Sequence, residues 1–137
     1  MSLRHIAAGA LAALLLVAGH FSAASAAEAP LADAAESKHA TAIRALLDKK
    51  SDVNARQADG MTALHWAAYH DDLDLVKRFL AAGADAKAKS RYDVTPLALA
   101  CTNGNGEIVA ALLAAGADAN STLQGGETAL MTASRTG

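Results

Sequence analysis

Thr62-Ala63-Leu64-His65-Trp66-Ala67-Ala68 is the stretch from which the rest of the chain can be read. Its pattern returns as Thr95-Pro96-Leu97-Ala98-Leu99-Ala100-Cys101 and as Thr128-Ala129-Leu130-Met131-Thr132-Ala133-Ser134, each start 33 residues after the last. One period earlier stands Ala29-Pro30-Leu31-Ala32-Asp33-Ala34-Ala35. A second block keeps the same phase: Ile43-Arg44-Ala45-Leu46-Leu47, Val76-Lys77-Arg78-Phe79-Leu80 and Val109-Ala110-Ala111-Leu112-Leu113. So does a third: Ser51-Asp52-Val53-Asn54, Ala84-Asp85-Ala86-Lys87 and Ala117-Asp118-Ala119-Asn120. Three blocks in one phase mark a repeat array, in which a unit buries its apolar face only by stacking on its neighbours.

Each block has a physical task. Thr62, Thr95 and Thr128 are predicted helix N-caps, where a side-chain oxygen accepts an orphan backbone N–H. Both prolines, Pro30 and Pro96, fall at the next position, where a fixed φ helps and no donor is lost. The Leu and Ala that follow predict a short first helix with a narrow apolar face. Turns are expected at 69–72 and 102–106, and second helices around 73–82 and 107–115. Gly83 and Gly116 end those helices in a left-handed conformation that glycine adopts without strain. Lys50 fills that slot in the first repeat, at a cost of about 1 kcal/mol.

Composition narrows the class. The apolar share is 53% and the charged share 19%, which excludes an ordinary disordered chain. Much of the apolar content is alanine, so the predicted core is thin and closely spaced. Twelve basic against fourteen acidic residues give a net charge of −2, which argues against a general nucleic-acid binder. Cys101 is the only cysteine, so neither an intramolecular disulfide nor a cysteine-based zinc site can form. Its neighbours Leu97 to Ala100 predict a buried thiol acting as a small hydrophobe.

The first segment reads as an address. Arg4 precedes the apolar run Ile6 to Val17, and the small residues Ser22 to Ala27 follow, with Ala24-Ser25-Ala26 at the expected cleavage point. A basic start, an apolar centre and a small-residue end match a secretory signal peptide. The run is too short to span a bilayer and His20 interrupts it. Cleavage after Ala26 removes only Arg4 among the charges and leaves a net charge of −3. The expected location is therefore periplasmic or extracellular, with no stable membrane insertion once the signal is removed.

Other chemistry was weighed against plainer readings. Gly104-Asn105-Gly106 precedes a helix, but a dinucleotide fingerprint needs a preceding strand and a third glycine where Val109 stands. An inter-helix turn is the expectation. His65 and His70 are five apart, an offset that does not share a helix face as i and i+4 would. His65 is expected to make structural hydrogen bonds. Asp71, Asp72 and Asp74 read as a solvated helix start favoured by its dipole. Asn120-Ser121-Thr122 matches a glycosylation acceptor but already occupies a repeat position. No hydrolase, zinc-protease or phosphate-loop motif occurs, so neither an enzyme activity nor a cofactor is expected.

These residues resemble the ankyrin repeat family. The resemblance rests on the Thr-Pro-Leu-like helix start, Leu64-His65 with the Ala pair that follows, the Val/Leu-Leu second helix, and Gly-Ala-Asp followed by Asn. It covers about residues 29–137. It implies an all-α solenoid of stacked helix-turn-helix units with projecting hairpin-like fingers, working as a protein-binding scaffold. Repeats would run about 27–55, 56–88, 89–121 and, incompletely, 122–137. The family's histidine is kept at His65 but replaced by Ala98 and Met131.

The resemblance also places partner contacts on the finger tips and the exposed side of the first helix. In the second repeat those slots hold Arg56, Ala58, Asp59, Met61, Trp66, Tyr69 and His70. In the third they hold Lys89, Arg91, Tyr92, Val94, Leu99, Thr102 and Asn103. Arg56, Met61, Trp66, Tyr69, Lys89, Arg91 and Tyr92 are the candidate partner-binding residues, since Trp, Tyr and Arg dominate binding hot spots. Trp66 has a second reading, packing against the adjacent repeat. Lys87, Lys89 and Arg91 alternate, so an extended finger would point them to one side. The partner is expected to be a protein. The fourth repeat stops at its first helix, which leaves open a longer chain, such as an exported enzyme with a catalytic domain beyond residue 137, or an architectural spacer.

Overall fold

The computed structural model describes residues 28–122, 126–128, 131, 134 and 135; the segment 1–26, read from the sequence as a signal peptide, and Leu130 lie outside the described residues. Among the described residues six helices follow one another as three pairs: α1 (Pro30–Glu36) with α2 (Ala40–Asp48), α3 (Ala63–Tyr69) with α4 (Leu73–Ala81), and α5 (Pro96–Asn103) with α6 (Gly106–Ala114). Among the described residues no strand forms; one isolated antiparallel bridge joins Thr122 and Thr128.

The caps explain where the helices begin. Thr95 Oγ1 accepts the Ala98 N–H at 3.1 Å, and Thr128 Oγ1 accepts the Met131 N–H at 3.2 Å. Thr62 starts α3 in a capping box, with His65 Nδ1 reaching back to accept the Thr62 N–H at 3.1 Å. Pro30 and Pro96 take the first helical position. The second helices use a different slot: Asp72 Oδ1 accepts the Leu75 N–H, and Asn105 Oδ1 accepts from Glu107 and Ile108. Asn105 thus caps α6, and Gly104-Asn105-Gly106 is the inter-helix turn expected of it. His39, one period before Asp72, gives α2 no side-chain cap.

The period is visible in the backbone itself. The residues with left-handed φ fall into three phases 33 apart: Lys38, Asp71 and Gly104; Lys50, Gly83 and Gly116; Gly60, Asp93 and Gly126. Lys50 adopts φ +55°, the strained conformation its slot demands. Lys38, Asp71 and Asp93 bear the same strain, which the sequence reading did not foresee. Asp71 is also more than a solvated charge, because its Oδ1 accepts from Asn105 Nδ2 at 2.8 Å.

Alanine sets the packing. α1 stacks on α3 and α3 on α5, with Ala35, Ala67, Ala68 and Ala100 fully buried between them. Small side chains let helix axes approach closely. The larger Ile43, Val76, Phe79, Ile108 and Leu112 are buried on the second helices and fill the remaining core. Cys101 lies inside this core and burial pushes its thiol pKa up, which suits an inert small hydrophobe rather than a nucleophile.

Candidate functional site

Two fingers project from the ends of the first helices, each closed by a turn. In the first, the Gln57 N–H donates to Met61 O (2.9 Å) and the Gly60 N–H to Gln57 O (2.8 Å). In the second, the Ser90 N–H donates to Val94 O (2.9 Å) and the Asp93 N–H to Ser90 O (3.1 Å). The fingers are joined: the Arg91 N–H donates to Asp59 O at 2.8 Å, and Arg56 Nη1 to Lys89 O at 3.1 Å. Gly60 permits this approach, since a Cβ there would meet Arg91 N at 2.9 Å. Ala86, Ala88 and Ser90 are buried while Lys87, Lys89 and Arg91 are exposed, the alternation expected of an extended segment.

The structure gathers some of the predicted site residues and separates others. Trp66, Tyr69 and His70 form one aromatic cluster. Tyr69 stands edge-on to Trp66 with ring centroids 5.5 Å apart, and His70 stacks on Trp66 at 5.9 Å. Tyr69 is 55% exposed and Tyr92, apart on the second finger, 62%. Lys89 and Arg91 are exposed and Met61 is half-buried. Arg56 is exposed, but its guanidinium is spent on the neighbouring finger. His70 and Asn103, also in contact slots, cap the preceding first helix instead. His70 Nε2 donates to Glu36 O at 3.0 Å, and Asn103 Nδ2 to Ala68 O and Tyr69 O.

Trp66 is half-buried and held by a network the sequence reading missed. Its Nε1 donates to Gln57 Oε1 at 2.7 Å, and Gln57 Nε2 donates to Asp33 Oδ1 (2.7 Å) and Glu36 Oε2 (2.8 Å). The signal was present. Asp33 and Glu36 occupy, one period earlier, the slots of Trp66 and Tyr69, so the 33-residue phase places them on the same face.

His65 is fully buried and structural. Its Nδ1 accepts from Thr62, and its Nε2 faces the Val94 carbonyl at 2.9 Å, so the ring is the neutral tautomer protonated at Nε2. Desolvation by burial lowers its pKa, outweighing the bond to Val94 that would raise it. Among the described residues no group of three or more His, Cys, Asp or Glu could hold a metal ion. A cleft of about 280 Å³ opens between α2 and α4, floored by Ile43 and Leu75 and flanked by Arg44 and Arg78. Arg78 pairs with Asp74 there at 2.9 Å.

Two family models match the chain: ankyrin repeats in three copies over residues 67–137, and ankyrin repeats in many copies over residues 31–80. A search of the curated proteins returns no match.

Proposed function

The chain belongs to the ankyrin repeat family, and from that premise we propose that it is an exported, non-catalytic module binding another protein through the face of Trp66, Tyr69 and Tyr92. Ankyrin repeats are protein-interaction modules, so the class of partner follows from the family. What supports this particular face is the exposure of Tyr69 and Tyr92 on a rigid framework: α3 anchors one ring and a doubly tethered finger carries the other. Rigid, exposed aromatics lose little entropy on binding and are the residue type most enriched in hot spots.

The test begins with in-situ cross-linking and isolation of the bound protein from the native source. Its affinity for the double variant Tyr69→Ala/Tyr92→Ala should fall by about tenfold or more at a temperature well below the melting point of both proteins. An undiminished affinity would exclude this face. Export rests on the segment 1–26, and N-terminal sequencing of the native protein should begin at Ala27. A start at Met1 would overturn it.

A further inference from the structure

The proposed binding face runs through three repeats in one register. Asp33, Trp66 and Leu99 occupy one slot at 33-residue spacing, and Glu36, Tyr69 and Thr102 occupy the next. Along it the chemistry changes from acidic, through aromatic, to uncharged. At the acidic end a single nitrogen, Gln57 Nε2, holds both carboxylates, while the same carboxamide fixes the Trp66 indole beside them. An amide carries no charge, so two negative charges stand together without compensation. Among the described residues the salt bridges are Arg78–Asp74 and Arg135–Glu127, and neither involves these acids. Arg56, next to Gln57 in the chain, turns away to the Lys89 carbonyl. Tyr69 leaves more than half its surface open at the edge of this cluster.

We infer that this junction receives a basic side chain of the partner, its cationic group on Asp33 and Glu36 and its stem against the Tyr69 ring. The inference rests on the face being a binding surface, as proposed above. A cation gains charge-assisted hydrogen bonds from two carboxylates that hold no salt-bridge partner among the described residues. The aromatic ring adds attraction to the same charge. An acidic partner segment would meet the opposite of each term.

Trp66 is the only tryptophan, so its fluorescence reports from inside the junction. The full chain is titrated with a blocked four-residue peptide carrying an arginine–leucine pair, and with its glutamate–leucine counterpart. The arginine peptide should bind saturably, about tenfold more tightly than the glutamate peptide. The double variant Asp33→Asn/Glu36→Gln should remove most of that preference. Its amide oxygens still accept from Gln57, so the array should melt at the same temperature. Equal responses to the two peptides, no response to either, or an undiminished preference in the variant would overturn the inference. The isolated partner separates this failure from that of the face itself. If Tyr69→Ala/Tyr92→Ala weakens it and Asp33→Asn/Glu36→Gln does not, the charge reading falls and the face stands. If neither weakens it, both fall.

Discussion

The junction between the first two repeats and the junction between the second and third bury similar alanine-rich surfaces and both carry side-chain ties at the surface, but the second adds a buried one. At the first, the ties are side-chain bonds at the surface. Asn54 donates to Gly83 O and accepts from the Asp85 N–H, Gln57 reaches Asp33 and Glu36, and His70 reaches the Glu36 carbonyl. At the second, Asn103 and Asn105 make surface ties of the same kind to Ala68, Tyr69 and Asp71. In addition, a fully buried imidazole links the Thr62 cap to the Val94 carbonyl of the next finger, with the fingers stitched together outside it. Surface hydrogen bonds exchange with water and contribute little net, whereas a buried donor or acceptor left alone costs its full desolvation. The second junction is therefore the rigid one, and it joins the repeats that carry the exposed aromatics, Tyr69 at the end of α3 and Tyr92 on the second finger.

The comparison can be broken most severely at His65. His65→Ala leaves a cavity and removes the acceptor of the buried Thr62 N–H, so it should destabilise the chain by about 3 kcal/mol in urea unfolding. Ala98 fills the same slot one repeat later, where the Thr95 hydroxyl caps α5 without it. The imidazole also makes the junction sensitive to acid. Its native pKa lies below the unfolded value of 6.5, so the unfolded chain binds the extra proton first. Its contribution is complete above about pH 6.5, declines as pH falls below that, and levels off beneath the lowered native pKa. Urea midpoints measured across this range should show that slope in the wild type and a shallower one in His65→Gln.

Smaller effects sharpen the contrast. Lys50→Gly relieves a left-handed lysine at a position where Gly83 and Gly116 stand in later repeats, and should raise stability by about 1 kcal/mol. Asn54→Ala should lose about 1 kcal/mol in the same assay, since both of its inter-repeat bonds disappear. Lys87 occupies the Asn54 slot in the second repeat and cannot both donate and accept. Lys87→Asn should supply the missing tie and gain about 0.5 kcal/mol. Tyr69→Ala, which gives up its ring contacts with Trp66 and His70, should change stability by about 1 kcal/mol, and Tyr92→Ala by no more than about 0.5 kcal/mol.

Periodicity made the architecture legible, because apolar spacing, caps and glycines report local conformation and recur in phase. The polar ties were less legible. His65 meets a carbonyl 29 residues away, and Gln57 meets acids 24 and 21 residues before it. Such pairs exist only once repeats are stacked, and no local pattern encodes them. Lys38, Asp71 and Asp93 were missed for another reason: their left-handed φ follows from phase with Gly104 and Gly60, not from residue type. Trp66 is half-buried in the array, its indole N–H held by Gln57 and its ring against Tyr69, a packing that the 33-residue phase alone does not distinguish from a partner contact.

The proposed binding face is formed by the fingers and the first helices. Amide hydrogen exchange of the full chain, alone and with its isolated partner, tests this most directly. The predicted result is slowed exchange within 57–61 and 90–94, with α4 and α6 unaltered. Protection concentrated on α4 and α6, with the two fingers unchanged, would contradict it.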